Sequence, residues 1–349
     1  MLKSLKGPIL ITGHTGFKGS WLTFLCKQLG LQVYGLSLPA ETGSMYERLD
    51  LSGTNPEVYC DIRDSKKIFK AINEIEPAAI IHLAAQPLVL ESYRSPIQTF
   101  ETNVMGTANI LDAATKIKSV KIVGVATTDK VYLNANLGNS FKEDSPLGGK
   151  DPYSASKVGT EQVVNAWQQI SKLHNGPRIV SMRAGNVIGG GDFANDRLLP
   201  DLIRASLFNM PTEIRNPDST RPWQHVLDPL LGYLLFIEAS LSGNKTTALN
   251  FSPKEKSLSV SEIVDIFNSR FPTVNVKLKR DSDPVKEAKL LELDSTLATR
   301  QLQWNPKLTQ EKAINQTIDW WIAFMHDADI VSHTKIEVEN FLKTKSVLY

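Results

Sequence analysis

Along the first half of the chain, short apolar runs alternate with longer stretches whose apolar positions recur at helical spacing. PILITG (8–13) is followed by FKGSWLTFLCKQLG (17–30), then by LQVYGL (31–36) and EVYC (57–60). DSKKIFKAINEI (64–75) has a helical period, AAIIHLAA (78–85) is again apolar almost throughout, and a helical stretch runs through Met105 to Ala114. VKIVGVA (120–126) and RIVSMR (178–183) flank a further helix, expected over about 153–174. Strand-length runs that are apolar on successive residues belong to sheets covered on both faces. Alternating with helices, they predict an α/β fold of Rossmann type, a doubly wound parallel sheet with at least six strands in the first half.

Past residue 186 the texture changes, and GGGDF, PDST, RPWQH and SPKEKS interrupt shorter elements. Residues 1–185 are therefore assigned to a nucleotide-binding domain that includes the helix after residue 152. Residues 186–349 form mainly a smaller C-terminal substrate-binding cap, with interleaving of the two allowed. In TIDWWIAFM (317–325), the helical spacing assigns Trp320 and Trp321 to packing rather than to a site. Glycines 189–191 are expected to allow a tight loop near a substrate.

Composition narrows the class. The 349 residues are 42% hydrophobic and 22% charged, ordinary for a globular protein with a large core. A net charge of +2 without any Lys/Arg block gives no reason to expect nucleic acid or a membrane surface as partner. The apolar run in MLKSLKGPILITG is too short for a signal peptide, and no stretch approaches the roughly 20 residues of a membrane span. Cys26 and Cys60 have neither metal-ligand nor CxxC spacing, so no metal is expected and a reducing cytoplasm fits best.

Chemistry enters at three places. Gly13-His14-Thr15-Gly16-Phe17-Lys18-Gly19 lies between the first strand and the first helix, where a glycine turn lets backbone approach a pyrophosphate. The second strand ends in Ser37, supplying neither an acid for ribose hydroxyls nor an Arg for a 2′-phosphate. The reading is NAD rather than NADP, with His14 and Lys18 as unusual members of the turn. Tyr153 and Lys157 fall at i and i+4 of one helix, a phenol beside a cation able to stabilise its phenolate. ATTDKVY (126–132) then sets Thr128, Asp129 and Lys130 at a strand's carboxyl end. A Thr-Asp pair often only terminates a strand. Beside a Tyr/Lys pair, a hydroxyl followed by an acid and an amine is what oxidation plus removal of water next to a carbonyl demands.

The glycine spacing and the Tyr/Lys pair resemble the extended short-chain dehydrogenase/reductases that act on nucleotide sugars. GHTGFKGSWL, HLAAQPLV, TFETNVMGT, TTDKVY, EDSPLGGKDPYSASK, GNVIGGGDF, DRLLPD and TRPWQHVLDPLLGYL together resemble the CDP-glucose 4,6-dehydratases over nearly the whole chain. Most nucleotide-sugar 4,6-dehydratases carry Asp-Glu where this chain has Asp129-Lys130; Lys130 matches the CDP-glucose branch. Phe193 stands where that family usually has Trp. The resemblance implies NAD-dependent dehydration of CDP-glucose to its 4-keto-6-deoxy derivative. Thr128, Asp129, Lys130, Tyr153 and Lys157 are the implied catalytic residues. Asp61, Ile62, Ala84 and Ala85 are implied cofactor contacts beside the turn, and Asn186, Arg197 and Arg221 implied substrate contacts. It also implies a homodimer through long helices that include the one bearing Tyr153. The rivals are the same chemistry on another nucleotide sugar, a C4 epimerase, which needs no Asp-Lys pair, and a non-catalytic NAD-binding sensor, which needs no catalytic set.

Overall fold

A computed structural model describes residues 3–53, 55–135, 140–279 and 291–345. Its central sheet has seven strands, all parallel, in the order Ala248–Phe251, Arg178–Ala184, Ile122–Thr128, Ala79–His82, Ile9–Thr12, Val33–Ser37 and Glu57–Tyr59. Six of these strands lie before residue 185, as the apolar runs predict. Ile9, Leu10, Ile11, Ile80 and Ile81 have no exposed surface, because helices cover both faces of the sheet.

The strand order reverses between Ile9–Thr12 and Ala79–His82, which pair side by side although the chain has meanwhile built two strands outward. In an open α/β sheet the crevice outside the carboxyl ends at such a reversal is where ligands bind. The Gly13 turn, Ala84–Ala85 and Thr128–Lys130 all lie at those carboxyl ends.

Local chemistry fixes the helices that matter. Pro152–Leu173 starts with a capping box: Asp151 accepts from the Ser154 amide at 2.9 Å, and Pro152 occupies the first turn, where a missing N–H costs nothing. The stretch expected as one helix through Met105 to Ala114 is instead Pro96–Phe100 and Gly106–Lys116, joined by a π-helical turn at Glu101–Met105. That extra residue per turn carries Asn103 inward to 1% exposure.

Beyond residue 186, helix Leu198–Leu207 and three two-stranded ladders stand apart from the main sheet. Helix Leu227–Leu241 and strand Ala248–Phe251 return to it, the strand pairing with Arg178–Ala184. Trp320 and Trp321 are core residues at 0% and 2% exposure. The glycine run 189–191 turns with Gly191 at φ +72° and is also closely packed. A Cβ at Gly190 would fall 2.0 Å from the Trp320 ring, and one at Gly191 2.2 Å from Met45 Sδ. Large side chains from two other elements occupy the space, so these glycines also serve packing.

Candidate active site

The glycine turn is built tightly on the protein side and openly on the other. Gly13 has φ +72°, and a Cβ there would stand 2.7 Å from the Ala84 amide nitrogen across the switch point. At Gly19 a Cβ would lie 2.0 Å from the Gly13 carbonyl oxygen, so the first helix seats directly on the turn. Gly16 is different: the nearest atom to its missing Cβ is the Gly13 oxygen at 3.4 Å. Helix Phe17–Gln28 begins there with no side-chain cap and no acid in its first turn, which leaves its amide donors and partial positive charge for an anion. These features fit a dinucleotide's pyrophosphate.

The other turn residues divide. The Thr15 hydroxyl donates to the Leu38 carbonyl at 3.0 Å and sits 3.0 Å from Ser37 Oγ, so two neutral hydroxyls occupy the end of the second strand. The Phe17 ring lies against Gly189, 3.3 Å from where a Cβ would be. His14 turns its ring away. It is buried edge-on to Tyr46 and stacked on Tyr59, over Gly35, where a Cβ would meet the imidazole at 2.4 Å. Burial lowers its pKa, against the pull of Glu57 with an oxygen 3.9 Å from Nε2. Only the His14 backbone remains in the turn. Lys18 Nζ lies 5.8 Å from the Tyr233 ring centroid; burial, then Arg197 and Lys157, push its amine down to about 7 against the opposing charge of Asp129.

Asp61 pairs with Arg63 at 2.6 Å, and that guanidinium holds the carboxyl below its ordinary range. Ile62 is buried against Gly106. The Ala84 amide donates to Thr12 Oγ1 at 3.3 Å, and Ala85 follows it, half-buried, along the crevice.

The catalytic candidates converge. Thr128, Asp129, Tyr153 and Lys157 are at most 8% exposed. The Thr128 hydroxyl donates to Asp129 Oδ1 at 2.9 Å and is near enough to the Tyr153 phenol to act on its ionisation. Asp129 Oδ2 is buried with no hydrogen-bond partner among the described residues, and a Cβ at Gly185 would stand 3.3 Å from it and 2.8 Å from Pro222 Cγ. Lys130 Nζ lies 3.9 Å from Asp129 Oδ1 and 3.5 Å from Asn186 Oδ1. Lys157 Nζ donates to the Ala126 carbonyl at 3.5 Å.

Burial dominates the ionisation here. It pushes the Tyr153 phenol up to about 12, with Thr128 opposing, and pulls Lys157 down to about 8, with Glu161 opposing. At neutral pH Tyr153 is a phenol and Lys157 is still mainly an ammonium. The phenolate therefore needs added positive charge, which a bound oxidised nicotinamide brings.

The three substrate candidates differ in their contacts. Asn186 touches Lys130. Arg197 precedes helix Leu198–Leu207 and pairs with Asp192 at 2.8 Å, yet is near enough to act on Lys18 and Tyr153. Arg221 is buried in the ladder with Leu258–Ser259 and donates to the Thr220 carbonyl at 2.8 Å. The next residue, Pro222, brings the end of this ladder to Gly185, beside Asp129 Oδ2.

A second set was missed. His82 joins Thr12 at 2.6 Å to Thr107 at 3.0 Å, and Thr107 donates to the Asn103 carbonyl. The Asn103 amide donates to Ser156 Oγ at 2.9 Å, tying the π-helical turn to the helix of Tyr153. Burial drives His82 down to about 3, so it is a neutral connector. A histidine inside AAIIHLAA was the available signal; the π-helical turn left none.

Comparison with known proteins agrees with this geometry. The family model described as GDP-mannose 4,6 dehydratase matches residues 10–317. The chain is similar to a CDP-glucose 4,6-dehydratase of Salmonella typhimurium, 37% identical over 343 residues that cover 96% of each protein. Among solved structures, an NAD-dependent NDP-hexosamine 5,6-dehydratase of tunicamycin biosynthesis is 26% identical with a TM-score of 0.76, covering 91% of this chain and 98% of that one. A UDP-glucose 4-epimerase of Thermus thermophilus in complex with NAD shares the fold at 23% identity and a TM-score of 0.79, covering 90% and 99%.

Proposed function

The chain belongs to the GDP-mannose 4,6 dehydratase family and within it to the CDP-glucose 4,6-dehydratases, and on that premise we propose that it converts CDP-glucose to CDP-4-keto-6-deoxyglucose with NAD as cofactor. The observation that carries this reading is the buried Asp129 with a free carboxylate oxygen, 3.9 Å from Lys130 and hydrogen-bonded to Thr128, which stands beside Tyr153. Oxidation alone, or epimerisation, has no use for that acid and amine.

The Gly13–Gly19 turn, Asp61–Ile62, Ala84–Ala85 and Lys157 would hold the cofactor, which would supply reversible hydride chemistry. Tyr153 takes the O4 proton, with Thr128 sharing its hydrogen bond and Lys157 its charge. The resulting C4 ketone acidifies C5–H. Lys130 removes that proton, and Asp129 protonates the C6 oxygen, which leaves as water. The elimination needs one proton shared between Asp129 and Lys130. Moving that proton from Lys130 to Asp129 gives an acid and a base at once, and exclusion of water by the sugar favours this neutral form. Asn186, Arg197 and Arg221 are assigned to the sugar and diphosphate, where an Arg fork matches phosphate oxygens.

We also assign a homodimer. Ile97, Phe100 and Met105 are 73%, 40% and 56% exposed along Pro96–Met105, which packs beside the Tyr153 helix. A row of apolar side chains on adjacent helices favours burial against a second copy. No described helix is long and apolar enough to cross a membrane. Two free, buried cysteines support a cytoplasmic setting.

CDP-, dTDP-, UDP- and GDP-glucose assayed side by side for 4-keto-6-deoxy product test the substrate. Product from CDP-glucose, at a kcat/KM at least about tenfold above the other three, is expected. Preference for another base would move the enzyme to a sister branch.

A further inference from the structure

Beside the site lies a connected group of buried polar residues to which the chemistry above gives no role. Arg183, at the end of strand Arg178–Ala184, is 5% exposed and uses every edge of its guanidinium. Nε donates to Glu161 Oε1 at 3.0 Å and Nη2 to Oε2 at 2.8 Å. Nη1 donates to the Tyr132 oxygen at 2.8 Å and to the Glu143 carbonyl at 2.9 Å. Thr127 and Ser181 add two hydroxyl donors to Glu161 Oε1, each at 2.6 Å. Tyr132 in turn donates to Asn250 Oδ1 at 2.7 Å.

The two ends of this group reach different halves of the reaction. Glu161 is one helical turn beyond Lys157 and two beyond Tyr153, on the same face. Tyr132 is two residues beyond Lys130, just past the single 3-10 turn Asp129–Val131. We propose that Arg183 is a positioning residue that holds the Asp129–Lys130 turn in register with the Tyr153–Lys157 helix, through Tyr132 on one side and Glu161 on the other.

The physical case has two parts. Oxidation at C4 and elimination across C5 and C6 act on one sugar, so groups from two elements must keep a fixed mutual geometry; a displacement of about 1 Å costs on the order of 10²-fold in rate. Backbone bonds at Val131 and Leu133 tie the 3-10 turn to residues 146–148, while the side-chain bonds from its far end to the Tyr153 helix run through Tyr132, Arg183 and Glu161. Moreover, a buried Arg–carboxylate pair adds little stability over an apolar pair of equal volume, and fixing a register is its best-attested use. Glu161 also opposes the burial that lowers Lys157, but the proposal stands on the bonds.

This inference rests on the dehydratase reading, and the test separates the two. Tyr132→Phe removes the oxygen that bonds Arg183 beside the Lys130 turn and keeps the ring, whose centroid lies 5.2 Å from the guanidinium. In single turnover with CDP-glucose, reduced nicotinamide reports C4 oxidation and 4-keto-6-deoxy product reports elimination. Oxidation should stay within about twofold of the parent enzyme while elimination slows by about tenfold or more. Arg183→Lys, which keeps the charge but loses the fork, should slow both steps. Amide exchange of Tyr132→Phe, read by mass spectrometry without substrate, should quicken over residues 129–133 and not in the glycine turn. An unchanged ratio of the two steps, or exchange that quickens throughout, overturns the positioning role. A parent enzyme that forms no such product overturns the dehydratase reading instead, and the exchange experiment still decides on Arg183.

Discussion

Tyr153→Phe is expected to lower turnover by roughly 10²- to 10⁴-fold, the usual worth of a positioned proton acceptor, with substrate affinity largely retained. The phenol is 8% exposed, and burial pushes its pKa up to about 12. Burial keeps water from the O4 proton, and Lys157 is already protonated for most of its time at neutral pH. The ring itself packs identically in Phe, so the fold and the sugar's seat are kept. Steady-state kcat beside a calorimetric titration with CDP-glucose checks this. Retention of most of the activity would remove Tyr153 from the role.

Lys130→Ala is expected to leave that first step standing and stop the second. Lys130 touches Asp129 and Asn186 but makes no described bond with Tyr153 or Lys157. Loss of the amine takes away the C5 base and leaves Asp129 without the partner that hands it a proton. Product formation should fall by roughly 10²- to 10⁴-fold, while reduced nicotinamide accumulates on the enzyme after mixing with CDP-glucose. Stopped-flow absorbance and product analysis on the same sample separate the steps. A variant that fails to reduce the cofactor at all would place Lys130 in oxidation instead.

Much of this arrangement was legible in the chain because its signals are local. Strand runs such as PILITG and VKIVGVA are apolar on successive residues, which only a sheet covered on both faces satisfies, and six strands form where such runs lie. Tyr153 and Lys157 share a helical face by spacing alone. Thr128, Asp129 and Lys130 stood out because three polar residues close an apolar run. What escaped depends on distant partners. That His14 turns its ring to Tyr46 and Tyr59 is decided by the absence of a side chain at Gly35, on the neighbouring strand. Glycines 189–191 read as a loop, but that Trp320 and Met45 pack against them is set by distant elements. The π-helical turn at Glu101–Met105 inserts one residue without any glycine or proline to mark it. Arg183 and Glu161 read as single charges in buried elements, and only the fold shows that each is the other's partner.

Transfer of a label from C4 to C6 tests the central claim most directly. If TTDKVY supplies a hydroxyl for oxidation and an Asp-Lys pair for elimination, the hydride removed from C4 must return to C6 of the same sugar. CDP-glucose deuterated at C4, turned over in ordinary water and examined by NMR, should therefore give product with deuterium at C6, a solvent-derived proton at C5 and no net build-up of reduced cofactor. Deuterium remaining at C4, as an epimerase would leave it, or held in accumulating reduced cofactor, as a simple dehydrogenase would, contradicts the assignment of Asp129 and Lys130.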